Sequence, residues 1–135
     1  MTTENAGQQW QSIALSDAPP PKGAYSPGVR AGDLVFVSGQ VPRDPRTGAL
    51  VGEDVAEQTR QVLRNVAGVL AAAGASLRDV VSVTVYLTNV DDWSTFDAVY
   101  REAFSPPFPT RAVVGAVLRG ILVEMSAVAY VGDRV

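Results

Sequence analysis

The 135-residue chain contains no cysteine and no histidine. The first absence excludes disulfides, thiolate nucleophiles and sulfur-ligated metal sites; the second excludes Ser-His relays and imidazole ligation of zinc, copper or iron. Chemistry in this chain must run on carboxylates, guanidinium groups, hydroxyls, backbone groups and water. Charge is sparse too, with 19% charged residues and a formal net charge of −3. There is no basic field to draw nucleic acid or an anionic bilayer. No stretch approaches the ~18 consecutive apolar residues of a membrane span, and the N-terminal MTTENAGQQW lacks the basic and apolar regions of a signal peptide. Nothing repeats at a fixed period, which sets aside solenoids and propellers. The expectation is a cytoplasmic protein without metal, nucleic-acid partner or membrane partner.

What is present suits one globular domain: 47% of residues are hydrophobic, and a chain of this length buries about two thirds of its unfolded surface. Residues 1–18 are polar and mixed, anchored only by Trp10, Ile13 and Leu15, and Pro19-Pro20-Pro21 follows as a stiff extended segment. We therefore expect a flexible N-terminal arm over 1–18 and a single domain over 19–135. Val29 and Arg30, the turn Ala31-Gly32-Asp33 and the apolar run Leu34 to Ser38 read as a first hairpin. Arg43 to Gly48 is an exposed loop. Asp54 and Glu57 have capping-box spacing, and Val55, Thr59, Val62, Val66, Val69 and Ala73 form one helical stripe that Gly74 ends. The opposite face, with Gln58, Arg60, Gln61, Arg64 and Asn65, is expected to meet water.

In Val80 to Thr88 the residues alternate, with Val81, Val83, Val85 and Leu87 on one face and Ser82, Thr84, Tyr86 and Thr88 on the other. The second face is too apolar for open water and too polar for a core, so it is expected to pack on another subunit. A second helix, capped by Asp91 or Asp92, carries the stripe Phe96, Val99, Tyr100 and Ala103 as far as Phe104, before Pro106, Pro107 and Pro109. Two further strands, Ala112 to Leu118 and Ile121 to Val131, read as an antiparallel hairpin turning at Arg119-Gly120. The order is ββαβαββ, an α+β sheet with both helices on one face and the other face free for oligomerisation.

Two charges at this last pair of strands draw attention. Arg111 follows Pro109-Thr110, where its guanidinium either forks onto a ligand carboxylate or forms a surface or inter-subunit salt bridge. Glu124 stands mid-strand among Val123, Met125, Ala127 and Val128, where burial raises a carboxyl pKa toward values useful for proton transfer; the alternative is a structural pair with Arg111 or a backbone group. Tyr25, in a Gly-Ala-Tyr-Ser-Pro-Gly turn, is either a pocket wall or a plug at the core edge. Ser38-Gly39-Gln40 is a strand end where a ligand can approach the backbone, or a simple bend.

The runs GAYSPGVRAGDLVFVSGQVP, DPRTG, EQTRQVLRNV and VTVYLTNVDDW, with PTR and VEMSAVA, occur in this order over residues 20–131 and together resemble the RidA (YjgF) family of reactive-intermediate deaminases. The resemblance implies a chorismate-mutase-like α+β domain assembled as a homotrimer, with a small-molecule cleft at each subunit interface. It also implies cofactor-free hydrolysis of 2-enamine or 2-imine intermediates to 2-keto acids and ammonia. By the same resemblance Arg111 matches the arginine that clamps the substrate carboxylate, and Glu124 the acid associated with the attacking water. Tyr25 matches a pocket tyrosine, and Ser38 with Gly39 matches the segment lining the cleft. The chain departs from the family pattern at several places. Pro27 replaces a glutamine, Asp97 stands where an asparagine is often found, and Ala112-Val113 replaces Ser-Cys or Ser-Thr beside the clamp. The turn at Leu118 to Ile121 is two residues shorter. A pocket with such walls suits a bulkier or less polar substrate, so two alternatives stand beside the generic deaminase. One is a pathway-specific enzyme for a larger biosynthetic intermediate, the other a non-catalytic binder using the same clefts.

Overall fold

The computed structural model describes residues 2–4, 7 and 9–132. The remainder of the expected 1–18 arm and residues 133–135 lie outside this description. Seven strands form one sheet among the described residues: β1 (Thr2–Glu4), β2 (Trp10–Ile13), β3 (Gly28–Ala31), β4 (Leu34–Gln40), β5 (Val80–Leu87), β6 (Thr110–Gly115) and β7 (Val123–Tyr130). Helix α1 (Val55–Ala72) lies between β4 and β5, and α2 (Trp93–Ala103) between β5 and β6. The spatial order is β1-β2-β3-β4-β7-β5-β6. Every pairing is antiparallel except that of β5 with β6. This is the expected α+β arrangement, two helices on a sheet. The sheet also extends beyond the domain boundary drawn at residue 19, because Trp10–Ile13 pairs with Gly28–Ala31 and Ile13 is fully buried.

Helix α1 begins where Asp54 caps it, its carboxylate accepting the Glu57 backbone N–H at 2.9 Å. It ends before Gly74, whose φ of 76° needs the freedom of glycine. Its stripe of Val55, Thr59, Val62, Val66 and Val69 is buried, as is that of α2 at Phe96, Val99 and Tyr100. The expectation that Gln58 and Gln61 face water is corrected: Gln58 is 3% exposed and Gln61 9%. Gln58 is buried because it is satisfied. Its Oε1 accepts the Leu122 N–H at 2.8 Å, and its Nε2 donates to the Gly52 carbonyl at 3.2 Å. No Asp side chain caps α2; the Asn89 side chain instead accepts the Asp91 N–H in the turn before it.

Two strand expectations also change. A register shift between Val80 and Ser82 turns Val80 inward at 6% exposure and leaves Val81 outside at 45%. This bulge breaks the simple alternation at the start of β5. More important, β6 and β7 do not form a hairpin. Strand β5 lies between them, parallel to β6 and antiparallel to β7. Residues 116–122 cross the end of β5 and span about 10 Å, two strand spacings. This crossing is pinned by Ala116 N–H to the Leu87 carbonyl at 3.0 Å, by Thr88 N–H to the Leu122 carbonyl at 3.1 Å and by Thr88 Oγ to the Ile121 carbonyl at 2.7 Å. Arg119-Gly120 therefore sits in a crossing loop.

The core lies between the sheet and the helices. Strand β7 sends Val123, Met125, Ala127 and Ala129 into it and turns Glu124, Ser126 and Val128 the other way, as the alternation requires. Across β5 that second face continues through Ser82, Thr84 and Tyr86, and across β4 through Phe36, which is 42% exposed.

Candidate active site

The expected site residues fall into two groups separated by the sheet. In register, Arg111 lies beside Val83 and Val113 beside Val85, so both are on the face the helices cover. Glu124 lies opposite Tyr86, on the uncovered face. Within one chain Arg111 and Glu124 therefore do not meet, and the hairpin that would have carried both is absent.

Arg111 stands on edge strand β6 beneath α2. Its Nη1 donates to Asp97 Oδ1 at 2.8 Å, with the two side chains 20% and 15% exposed. The guanidinium carbon lies 4.6 Å from the Tyr100 ring centre, 5.5 Å from that of Trp93 and 5.6 Å from that of Phe96. These aromatic faces and one carboxylate hold the cation on the side facing α2. Arg101, four residues after Asp97, reaches Asp97 Oδ2 at 3.4 Å from a largely exposed position. A recess of about 310 Å³ opens here, lined by Asp97, Tyr100, Arg101, Phe108, Pro109 and Arg111. Burial, outweighing the neighbouring Arg111 charge, raises the Tyr100 pKa, and among the described residues its buried hydroxyl has no hydrogen-bond partner. The sequence reading missed the parts played by Trp93, Tyr100 and Arg101. Phe96 and Tyr100 have the spacing of an ordinary core stripe, and only the parallel placement of β6 brings a cation against them.

On the other face, Glu124 is tightly bounded. A Cβ at Gly39 would collide with its carboxyl group at Oε2, so the absent side chain is what lets the strand end lie against it. Removal of the carboxyl from water raises its pKa above the ordinary glutamate value. Ser38 Oγ donates to the Ser26 carbonyl at 2.6 Å and Ser38 N–H to the Pro27 carbonyl at 3.0 Å, which ties the Tyr25-Ser26-Pro27 turn to the same end of β4. Tyr25 itself is 59% exposed. The structure thus joins Gly39 to Glu124 and anchors the Tyr25 turn through Ser38. A hollow of about 380 Å³ beside Glu124 is lined by Val41, Arg43, Val117, Leu118, Arg119 and Ile121. Two arginines thus line the same hollow as one acid, a neighbourhood that follows from the crossing loop and has no signal in local spacing. Among the described residues no cluster of three acidic side chains could hold a metal, and no helix is long and apolar enough to cross a membrane.

A two-helix layer on a mixed sheet defines a class of small α+β proteins that includes the YjgF, RidA and RutC proteins. Residues 15–131 match the family described as Endoribonuclease L-PSP, and the chain belongs to that family. It is 43% identical over 120 residues to a RutC family protein of Pyrococcus horikoshii, covering 87% of this chain and 95% of that protein. It is 38% identical over 122 residues to the human 2-iminobutanoate/2-iminopropanoate deaminase, covering 89% of each. The crystal structure of Escherichia coli TdcF with bound serine superposes with a TM-score of 0.79 at 35% identity, covering 88% of this chain and 97% of that one.

Proposed function

We propose that the chain hydrolyses small 2-imine or 2-enamine compounds to the 2-oxo compound and ammonia, without a cofactor, in a cleft between copies of itself. The observation that carries this reading is Glu124, a carboxyl with a raised pKa held against Gly39 beside an open hollow. Burial raises its pKa above that of an ordinary glutamate, so this carboxyl is a stronger base than an exposed one and can take up and return a proton. An iminium carbon is already electrophilic, so the remaining work is to position water and move protons. Water oxygen attacks that carbon, the C=N π electrons pass to nitrogen, and Glu124 takes a proton from the water. That proton is returned to the amine nitrogen, the C–N bond breaks with its electron pair leaving on ammonia, and the carbinolamine hydroxyl passes its own proton to the Glu124 carboxylate as the carbonyl forms; ammonia carries that proton away as ammonium. The deaminase name of the human relative supports the reaction class, and the serine bound to TdcF supports a small-molecule ligand. A net charge of −3 offers no favourable term for a phosphate backbone.

Arg111 is the residue proposed to bind the substrate's head group, with Val113 beside it and Tyr25, Ser38 and Gly39 forming the wall around Glu124. Because the sheet separates Arg111 from Glu124 in one chain, we assign the complete site to two copies, one presenting edge strand β6 and the next its open face. Such a heterologous contact closes into a ring, and a homotrimer is the arrangement proposed. Exposed Phe36, Leu34 and Tyr130 give the open face an apolar surface to cover. The second reading, a larger substrate or a bound ligand that is not turned over, is favoured by one specific observation: Asp97 already occupies Arg111.

The test generates 2-iminopropanoate and 2-iminobutanoate in situ and follows their loss with semicarbazide as trap. Wild type should accelerate hydrolysis, while Arg111→Ala and Glu124→Gln should each be slower by at least about 100-fold. Decay at the buffer rate for these imines and for the corresponding 2-iminoamides would sink the deaminase reading. Light scattering that finds a monomer at micromolar concentration would remove the cleft.

A further inference from the structure

We propose that Asp97 determines which head group the Arg111 recess accepts. In place of a free carboxylate, the recess selects a neutral group that sets a carbonyl beside an N–H, such as a primary amide or a ureido group. This inference rests on the reading of Arg111 as a ligand-binding residue.

The better-shielded charges in the recess cancel. Arg111 and Asp97 are 20% and 15% exposed and bonded at 2.8 Å, whereas Arg101 is 66% exposed and reaches Asp97 only at 3.4 Å. Water screens Arg101, so a ligand entering the recess meets a near-neutral pair in place of a lone guanidinium. A second carboxylate brought to Arg111 would lie within a few ångströms of Asp97 and be repelled by it. Displacing Asp97 is also unfavourable, because its helix and the three rings around Arg111 hold the pair in place. Yet the pair leaves hydrogen-bonding capacity on both sides. Among the described residues Arg111 makes one side-chain hydrogen bond, through Nη1, so its other N–H groups remain as donors. Among the described residues Asp97 Oδ2 meets only the exposed Arg101, so it remains an acceptor. Both residues line the same recess of about 310 Å³. A carbonyl oxygen facing Arg111 with an N–H facing Asp97 satisfies both, and a carboxylate satisfies one while opposing the other. Phe108 and Pro109 supply an apolar wall within the same chain, which itself adds no charge to offset the repulsion.

The test compares 2-oxobutanoate with 2-oxobutanamide, a pair differing in the head group alone, by calorimetric or NMR titration of the full-length protein at fixed ionic strength. Wild type should bind the amide at least as tightly as the carboxylate. Asp97→Asn and Asp97→Ser should each raise carboxylate affinity by at least tenfold and change amide affinity by less than threefold. Adding Arg111→Met to Asp97→Asn should abolish the gain, as a purely structural role for Asp97 would not require. Wild type preferring the carboxylate tenfold or more overturns the proposal, as do folded Asp97 variants whose selectivity stays within twofold of wild type. Failure of both ligands to bind any of these proteins also overturns it. If neither Asp97 variant folds, the wild-type ratio decides. The imines of the two compounds, assayed for hydrolysis in parallel, separate this inference from the reaction itself. A wild type that hydrolyses neither but keeps the amide preference refutes the deaminase reading and leaves the selectivity of the recess in place.

Discussion

A methyl group at Gly39 would enter the space taken by the Glu124 carboxyl. The added Cβ would overlap Oε2 and lie 3.1 Å from Cδ, where ordinary contact begins at 3.4 Å. The carboxyl would have to move by about 1 Å, and a displacement of that size at a reacting group can cost on the order of 100-fold in rate. The fold should tolerate the change. Gly39 is not among the residues with positive φ, and the group that must yield is the far end of a flexible side chain. Gly39→Ala is thus expected to stay within about 1 kcal/mol of wild type in urea denaturation, because the stiffer unfolded chain offsets part of any strain. Imine hydrolysis should fall about 100-fold in the same protein. Titration of a ¹³C-labelled Glu124 carboxyl gives a second readout independent of turnover. Pushed from the strand end toward the open hollow, the carboxyl regains water, and its raised pKa should relax toward the ordinary glutamate value. Wild-type activity together with an unchanged Glu124 titration would refute the close packing of these two residues as the basis of the site.

Burial raises the folded-state pKa of Glu124 above its unfolded value, so the folded protein binds the extra proton and stability is lost as pH rises through that window. Glu124→Gln removes this dependence. The stability of the variant relative to wild type should increase from acid toward neutral pH in urea titrations, and a difference constant across that range would contradict the burial. In activity profiles, a Glu124 acting as base gives an acid limb placed higher than an ordinary glutamate would. Gln58→Leu leaves the Leu122 N–H and the Gly52 carbonyl without their partner, and calorimetry or urea melts should register a loss of about 2–4 kcal/mol. A loss below about 1 kcal/mol would mean that these groups find other partners. The register shift in β5 gives a matched pair: Val80→Ala should cost about 1.5 kcal/mol and Val81→Ala less than about 0.5 kcal/mol. Equal costs would argue for the simple alternation without the bulge.

Local patterns carried much of the fold. The cap at Asp54, the valine stripe of α1, the turn at Gly32 and the alternation of β7 each depend on residues within one or two turns of each other, and each formed as its spacing implies. The same is true of the raised pKa of Glu124, a carboxyl placed mid-strand among apolar neighbours. Reading failed where a residue's partner is distant in sequence. Gln58 looks like solvent-facing helix until Leu122 arrives beside it. Arg119-Gly120 looks like a hairpin tip because nothing nearby records that β5 occupies the place between β6 and β7.

The sequence alone determined both helices and five of the seven described strands, the apolar stripes of the helices, the family pattern and the short list of groups able to do chemistry once cysteine and histidine are absent. Tertiary structure decided which of those groups share a space. Inserting β5 between β6 and β7 put Arg111 on the covered face and Glu124 on the open one. It also gave Arg111 to Asp97 and three aromatic rings, and Glu124 to Gly39 and the hollow with Arg43 and Arg119. The physical reason is that strand pairing is chosen by burial and backbone hydrogen bonds summed over the whole sheet, so a short polar turn between two apolar strands does not oblige them to pair with each other.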